Sequence, residues 1–344
     1  MSTVSPLTAK KFWSCFFFSF AFVVVIPTIC IVLGVTQHPA EFSYNAPSMD
    51  GGIRQVTLHA DLISADLKQA SMVLDWNILL DTCYLGNNCT IVNIYFDANL
   101  LHLSDTNSSI PSDNDEPTDP TFIWNTTAYN VDIFANTPTF QTELSIFPRS
   151  KNARKHSSSS DVYYPFDVYL AEVFAFAEDA STKEPVGLFL QSTSGLAAGL
   201  KIRGEVADTS DLGIPELVDI LVTLQRGTLV ILYGLVITIT FWLITLTICL
   251  LMIMTVGYGF QQRNEIVVVP IGVVFAFIQL RSTMPGAPDG FGDILDFVGV
   301  LLCLVLLSIC AVSMVGIYIF TDPAKDSREK LTWSAFGELV VNDS

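Results

Sequence analysis

Residues 218–256 read VDILVTLQRGTLVILYGLVITITFWLITLTICLLMIMTV. Two periods meet in this stretch. Val218, Ile220, Val222 and Leu224 alternate with Asp219, Leu221, Thr223 and Gln225, the pattern of a strand with one face on a core. After Arg226 the alternation stops, and an uncharged apolar run extends from about Thr228 to Val256. About 20 apolar residues in a helix cross ~30 Å of hydrocarbon, so this run predicts a tilted transmembrane helix. No flexible linker separates strand from helix. The β portion and the membrane portion are therefore expected to be coupled mechanically, with Arg226 at headgroup level, in reach of a lipid phosphate.

Three further apolar runs flank this stretch, from about Trp13 to Val35, Ile266 to Leu280 and Ile294 to Phe320. Lys10, Lys11, Arg263, Lys325, Arg328 and Lys330 border them on one side, which by the positive-inside rule puts both termini in the cytosol. The predicted organisation is a cytosolic start (1–11), a first helix (12–36), an extracytoplasmic β-sandwich domain (37–227) and a second helix (228–256). A cytosolic loop (257–265), a third helix (266–281), an outer Pro/Gly turn (282–293), a fourth helix (294–320) and a cytosolic tail (321–344) follow. The first run is longer than the roughly 7–15 apolar residues of a signal peptide, so it is read as a retained signal-anchor. The fold class is membrane α+β, in the secretory pathway or plasma membrane: a signal-anchor helix, an extracytoplasmic β-sandwich-like domain and three C-terminal transmembrane helices.

The middle segment alternates repeatedly. Val56, Leu58, Ala60 and Leu62 interleave with Thr57, His59, Asp61 and Ile63, and every second residue of Leu200–Val206 is charged. Further strand-like runs lie at 72–80, 91–100, 122–134, 162–177 and 186–191. About eight short strands predict a β-sandwich. Loops 104–120, acidic and polar, and 150–160, basic and Ser-rich, are expected to be disordered. Cys83 and Cys89 are the only cysteines of the segment and are expected to pair in an oxidising compartment; with no nearby histidine they are too few to hold zinc. Sequons at Asn88, Asn107 and Asn125 are expected to carry glycans.

Composition narrows the function. The net charge is −17, with 25 of the 34 acidic residues in the middle segment, which disfavours nucleic acid as a partner. No Gly-rich phosphate loop, G-x-S-x-G elbow or H-E-x-x-H occurs, and His38, His59, His102 and His156 have no metal-ligand spacing. No nucleophile–base constellation, metal site or cofactor motif is evident, so no enzyme is expected. No ionisable residue sits deep in an apolar run, which argues against a proton relay or charge-coupled transporter. The expected partners are the lipid bilayer, an extracytoplasmic ligand or protein, and further copies of the chain.

Two motifs stand apart. Arg281 precedes a rigid turn built on Pro285, Gly286, Pro288 and Gly290. Asp293 and Asp296 share a helix face, where either can pair with Arg281. The second motif is Tyr164-Pro165-Phe166-Asp167, in which Pro165 fixes the backbone and Asp167 caps it. Taken with Phe275-Ala276-Phe277, Leu280-Arg281, Pro285-Gly286-Ala287-Pro288 and Gly292-Asp293, this turn resembles a fungal and actinobacterial membrane family, the domain of unknown function 4436 family. The chain departs from that family's pattern at Asp289 and Phe291. The resemblance implies an N-terminal anchor, a β-domain and three further helices, and no activity. The aromatic-Pro-Phe-Asp turn, with a strand that ends in Arg226 at the membrane, is also similar to pentameric ligand-gated channels. Here no cysteines flank the turn, three helices rather than four follow Arg226, and one precedes the ectodomain. The reading is a non-enzymatic binding, sensing or scaffold protein, with a channel-like oligomer as the alternative.

Overall fold

The computed structural model describes residues 24, 28, 41–47, 54–85, 89–97, 99–101, 117, 119–131, 138–147, 161–207, 217–256, 258, 268–288 and 290–320. The two termini, the loops 102–116 and 150–160, most of the link 257–265, and Asn88 and Asn107 lie outside the described residues. The chain divides into units 1–40 and 41–344. Of the expected signal-anchor only Val24 and Thr28 are described, both helical, with the Thr28 hydroxyl donating to the Val24 carbonyl at 2.7 Å.

Among the described residues of the second unit, ten strands form a mixed β-sheet domain: β1 (Ser43–Tyr44), β2 (Gln55–Asp66), β3 (Ser71–Asp81), β4 (Val92–Phe96), β5 (Phe122–Trp124), β6 (Thr139–Ser145), β7 (Val168–Asp179), β8 (Pro185–Gly195), β9 (Leu200–Val206) and β10 (Val218–Arg226). One ladder runs β1-β9-β10-β7, with β4 on the far edge of β7 and β5 beyond it; the other runs β8-β2-β3-β6. The two meet where β7 and β8 pair through only Ala177–Val186 and Glu178–Pro185. Past that point β8 leaves β7 and lies parallel to β2.

Alternation explains the layers. Along β7, Tyr169, Ala171, Val173, Ala175 and Ala177 are buried while each intervening residue up to Glu178 is half-exposed. The inward residues of both ladders share one core. Trp76 of β3 meets Phe96 of β4 across the interior at 5.2 Å, and small Ala175 beside Phe96 leaves room for the rings. The Trp76 indole N–H is satisfied by the Thr142 hydroxyl at 2.8 Å, as burial of a polar group requires.

The segment 122–134, read from sequence as one strand, turns helical after Trp124. The helix α1 (Thr126–Val131) begins because the Asn125 side-chain oxygen accepts the Ala128 N–H at 3.0 Å, a favoured N-cap.

Among the described residues three helices follow β10: α2 (Thr228–Val256), α3 (Val269–Ser282) and α4 (Leu302–Phe320), the last entered through a wide π turn over Asp296–Leu301. Among the described residues, two helical stretches are long and apolar enough to cross a membrane, Thr228–Val256 and Asp296–Ile317. The 14 residues of α3 rise only about 21 Å, short of the full hydrocarbon thickness. Val236, Ile239 and Leu243 on α2, Phe275 on α3, and Ile309 and Val312 on α4 point outward and are exposed, an apolar belt that a bilayer would cover. The bundle packs closely inside. A Cβ added at Gly299 would lie 2.9 Å from the Thr238 methyl, and the Trp242 indole N–H donates to the Val298 carbonyl at 3.1 Å. π turns misalign backbone acceptors, and here a neighbouring helix supplies the donor.

Candidate functional site

Strand register builds the site. Gln225 of β10 stands opposite Val168 of β7, so the next residues outward, Arg226 and Asp167, fall side by side at the same end of the domain. The Arg226 Nε lies 3.2 and 3.1 Å from the two Asp167 carboxylate oxygens, and Nη2 lies 3.0 Å from Oδ2. Their side chains are 9% and 0% exposed. Arg226 is thus turned inward onto Asp167, and the expected pairing with lipid phosphate is replaced by a desolvated ion pair. Such a pair is costly to break from one side, because the orphaned charge stays buried.

Tyr164 and Pro165, joined by a cis peptide, complete this corner. The Arg226 guanidinium lies over the Tyr164 ring, 5.4 Å from its centroid, a cation–π arrangement. The Tyr164 hydroxyl donates to the Pro285 carbonyl at 3.0 Å, linking the β-domain to the turn between α3 and α4. Burial pushes the Tyr164 phenol up to about 12. Gly286 follows at φ +68°, where an added Cβ would sit 2.2 Å from Arg226 Nη1. Only glycine fits both the backbone angle and the guanidinium. Pro165 reaches the α2 side, 3.7 Å from the place of a Cβ on Gly234. Phe166, by contrast, is exposed.

Arg281 organises the other side of the turn. Its Nε donates to Asp296 Oδ1 at 2.8 Å, and Nη2 donates to Asp293 Oδ2 at 2.8 Å and Asp296 Oδ2 at 2.9 Å. Both carboxylates take the guanidinium, and it also reaches the Pro288 and Gly290 carbonyls at 3.4 and 3.2 Å. Asp293 Oδ1 accepts the Asp296 N–H at 2.7 Å, capping the entry to the last helix. Burial raises the Asp293 carboxyl.

The opposite end of the β-domain is stapled differently. Cys83 and Cys89 form a disulfide. Beside it, Arg54 pairs with Asp81 at 2.7 Å, with side chains 18% and 1% exposed. Asp81 also accepts from the Thr126 hydroxyl, from the Trp124 indole at 3.2 Å and from the Cys83 N–H at 3.0 Å. Burial opposes the charge on Asp81, and the hydrogen bonds from Arg54, Thr126 and Cys83 outweigh it, holding the carboxyl below its usual range. Asp179 is held low by hydrogen bonds from Ser181 and Thr90. Asn125, the one sequon asparagine among the described residues, sits at this end as the α1 cap.

A further polar cluster spans β2 and β8. His59 Nδ1 lies 2.7 Å from the Ser192 hydroxyl, and Nε2 lies 3.1 Å from Ser194 and 3.3 Å from Asp61. Ser194 also bonds Asp61. The ring is engaged on both edges where the β2–β8 register shifts at His59, so the cluster ties an irregular parallel pair. Among the described residues, no three His, Cys, Asp or Glu side chains group as metal ligands.

A family model described as Domain of unknown function (DUF8687) matches residues 37–224, more than half of the chain. The chain belongs to the DUF8687 family. A second model, Domain of unknown function (DUF8686), matches residues 226–321. No curated protein matches the chain. These matches overturn the resemblance to the 4436 family. The aromatic-Pro turn and the Pro-Gly hairpin behind that resemblance are short motifs set by local backbone geometry, so they do not single out one family. The DUF8687 match ends within β10 and the DUF8686 match begins at Arg226. The Asp167–Arg226 pair therefore bridges the two matched segments.

Sequence reasoning named Asp167 and Arg226 separately but missed that they pair. Each flanks a strand at an end where the alternation breaks, but that pattern does not say which strand ends meet. Arg54 and Asp81, 27 residues apart, gave no pairing signal either.

Proposed function

We propose that this chain is a multi-pass membrane protein that displays its β-domain outside the cytoplasm as a non-enzymatic binding, sensing or scaffold module. In this reading the run 12–36 is a signal-anchor, three helices after Arg226 cross the bilayer, both termini are cytosolic, and Asn88, Asn107 and Asn125 carry glycans. The observation that carries it is the joint itself. The desolvated Asp167–Arg226 pair and the Tyr164–Pro285 hydrogen bond set a soluble-type β-domain firmly on an apolar helical bundle. The disulfide supports an oxidising side for the domain. The ionisable groups at the joint are consumed by one another, which suits a structural role better than chemistry.

The test is topology. Protease added to intact cells is expected to cut the β-domain and spare epitope tags at both ends; Asn125→Gln is expected to reduce a glycosidase-sensitive mobility shift, and substitution of all three asparagines to abolish it. Tags cut from outside, or a shift that survives substitution of all three asparagines, would sink the reading.

A channel-like oligomer remains a second reading, because the Tyr164–Asp167 turn touches the Pro285 hairpin. The α2 threonines weigh against it. Thr238, Thr240 and Thr247 donate to carbonyls of their own helix at 2.8–2.9 Å, which leaves α2 a poor pore lining. A symmetric ring on native sizing is required by this reading alone.

A further inference from the structure

Gly234 marks a level in the molecule. It stands less than two turns into α2, about 9 Å below the first residue of that helix. A Cβ placed on it would lie 3.7 Å from Pro165 Cγ and 3.1 Å from Leu295 Cδ1. The Tyr164–Asp167 turn of the β-domain therefore does not stop at the top of the bundle. It reaches down beside α2, to the depth at which the chain enters its last helix.

Exposed aromatic side chains gather at that level. Tyr163 and Phe166 bracket the Tyr164-Pro165 step, and the Phe166 N–H donates to the Tyr163 carbonyl at 2.7 Å, closing the turn that carries both. Tyr233 adjoins Gly234 on α2, and Phe297 follows close behind Leu295 and meets Phe291 edge-on at 5.9 Å. All five rings are exposed. The far end of the β-domain differs: the exposed apolar side chains described there are the aliphatic Leu79, Leu80, Ile91 and Ile123. Tyr258, just past α2, and Phe320, which ends α4, are exposed at the opposite end of the bundle. From Gly234 to Val256, α2 rises about 33 Å, against ~30 Å of hydrocarbon in a bilayer. Between those levels Ile239, Leu243, Leu246 and Leu250 face outward and are exposed. Aromatic rings at both ends of an apolar belt of this height are the pattern of membrane–water boundaries.

We propose that Tyr163, Phe166, Tyr233, Phe291 and Phe297 form a collar that seats the underside of the β-domain in the outer leaflet, where headgroups meet acyl chains. The partner of this surface is phospholipid. Three phenylalanines are matched by acyl carbons alone, whereas the two tyrosine hydroxyls need polar partners, and a boundary supplies both. The collar is continuous with the exposed face of α2, so one solvent covers both. The proposal rests on the membrane reading above and adds that the β-domain itself touches lipid.

The experiment uses the full chain in phosphatidylcholine nanodiscs, with the photoreactive residue p-benzoylphenylalanine replacing Phe166, Phe291, Leu243 or Ile123, one at a time. Mass spectrometry then reads the fraction of each protein that carries a phosphatidylcholine adduct after illumination. Positions 166 and 291 are expected to label at least fivefold more than position 123 at the far end, and position 243 in the middle of α2 is expected to label as well. Labelling at 166 or 291 no greater than at 123, with 243 labelled, rejects the collar and leaves the membrane reading standing. Crosslinking of 166 or 291 to a second copy of the chain in place of lipid also overturns the collar, since the rings then form a protein interface. A position 243 without lipid adduct rejects the membrane reading itself, and the collar with it.

Discussion

Both ends of the β-domain hold a buried aspartate against an arginine, yet the two pairs are built to different tolerances. At the far end Asp81 has several donors besides Arg54: a hydroxyl, an indole and a backbone N–H, next to a disulfide. At the helix end the hydrogen bonds to Asp167 come from Arg226, whose guanidinium is itself wedged between the Tyr164 ring and Gly286. The first arrangement is redundant and the second is not. A domain end that faces solvent can share its charge among many groups. An end that must meet an apolar helical bundle concentrates it in one contact, where geometry also fixes orientation.

The contrast is broken most directly at the arginines. Arg226→Met is expected to cost about 3–5 kcal/mol by stranding Asp167, whereas Arg54→Met is expected to cost about 1–3 kcal/mol because Asp81 keeps its other donors. Thermal unfolding of purified variants in detergent measures both. Equal losses would erase the distinction, and a second change, Asp167→Leu on the Arg226→Met background, is expected to recover much of the larger one. Gly286→Ala comes next, at about 1–3 kcal/mol, from the strained positive φ and the displaced guanidinium. A variant as stable as wild type would mean that the turn yields easily.

The pH response sharpens the same comparison and is expected to be smaller. Tyr164 holds its proton to about 12 in the folded chain against 10.0 for an ordinary phenol. Its contribution is therefore complete below pH 10 and is lost as pH rises from there to about 12, a change of order 2 kcal/mol. Tyr164→Phe should abolish that alkaline window. The far end responds to acid: Asp81 and Asp179 are held low, so their contribution is present above the usual carboxylate range and lost as pH falls below it. Glu172 and Asp219, raised by burial, act in the opposite sense, since protonation on mild acidification favours the folded state at these positions. Stability profiles of wild type and Tyr164→Phe from pH 3 to about 12 test the assignment, and a wild-type curve flat above pH 10 contradicts it.

Sequence periodicity shows the β-rich character wherever alternation is clean. In β9, Leu200, Ile202 and Gly204 are buried between exposed Lys201, Arg203 and Glu205, as the alternating pattern implies. It fails where a side chain is spent on something other than packing. β6 is not evident because its inward face is Phe140, Thr142 and Leu144, and Thr142 is there to satisfy the Trp76 indole. The run after Trp124 looks extended until Asn125 is seen as a helix cap. The two-residue β1, parallel to β9, carries no local signature at all. At the joint, local spacing brings Asp293 and Asp296 to Arg281, since all three lie within one hairpin. The pairing of Asp167 with Arg226 depends on long-range register between β7 and β10, which no window of sequence contains.

Gly227 alone stands between the last residue of β10 and the first of α2, and its N–H is held by the Gly199 carbonyl at 2.7 Å. With so short an elbow there is no slack to absorb a turn of the helix about its axis. Twisting α2 must drag a strand that is hydrogen-bonded along both edges. A load on the distal tip of the domain is thus passed to the helical bundle as torque, and a tilt of the bundle is passed to the tip in return.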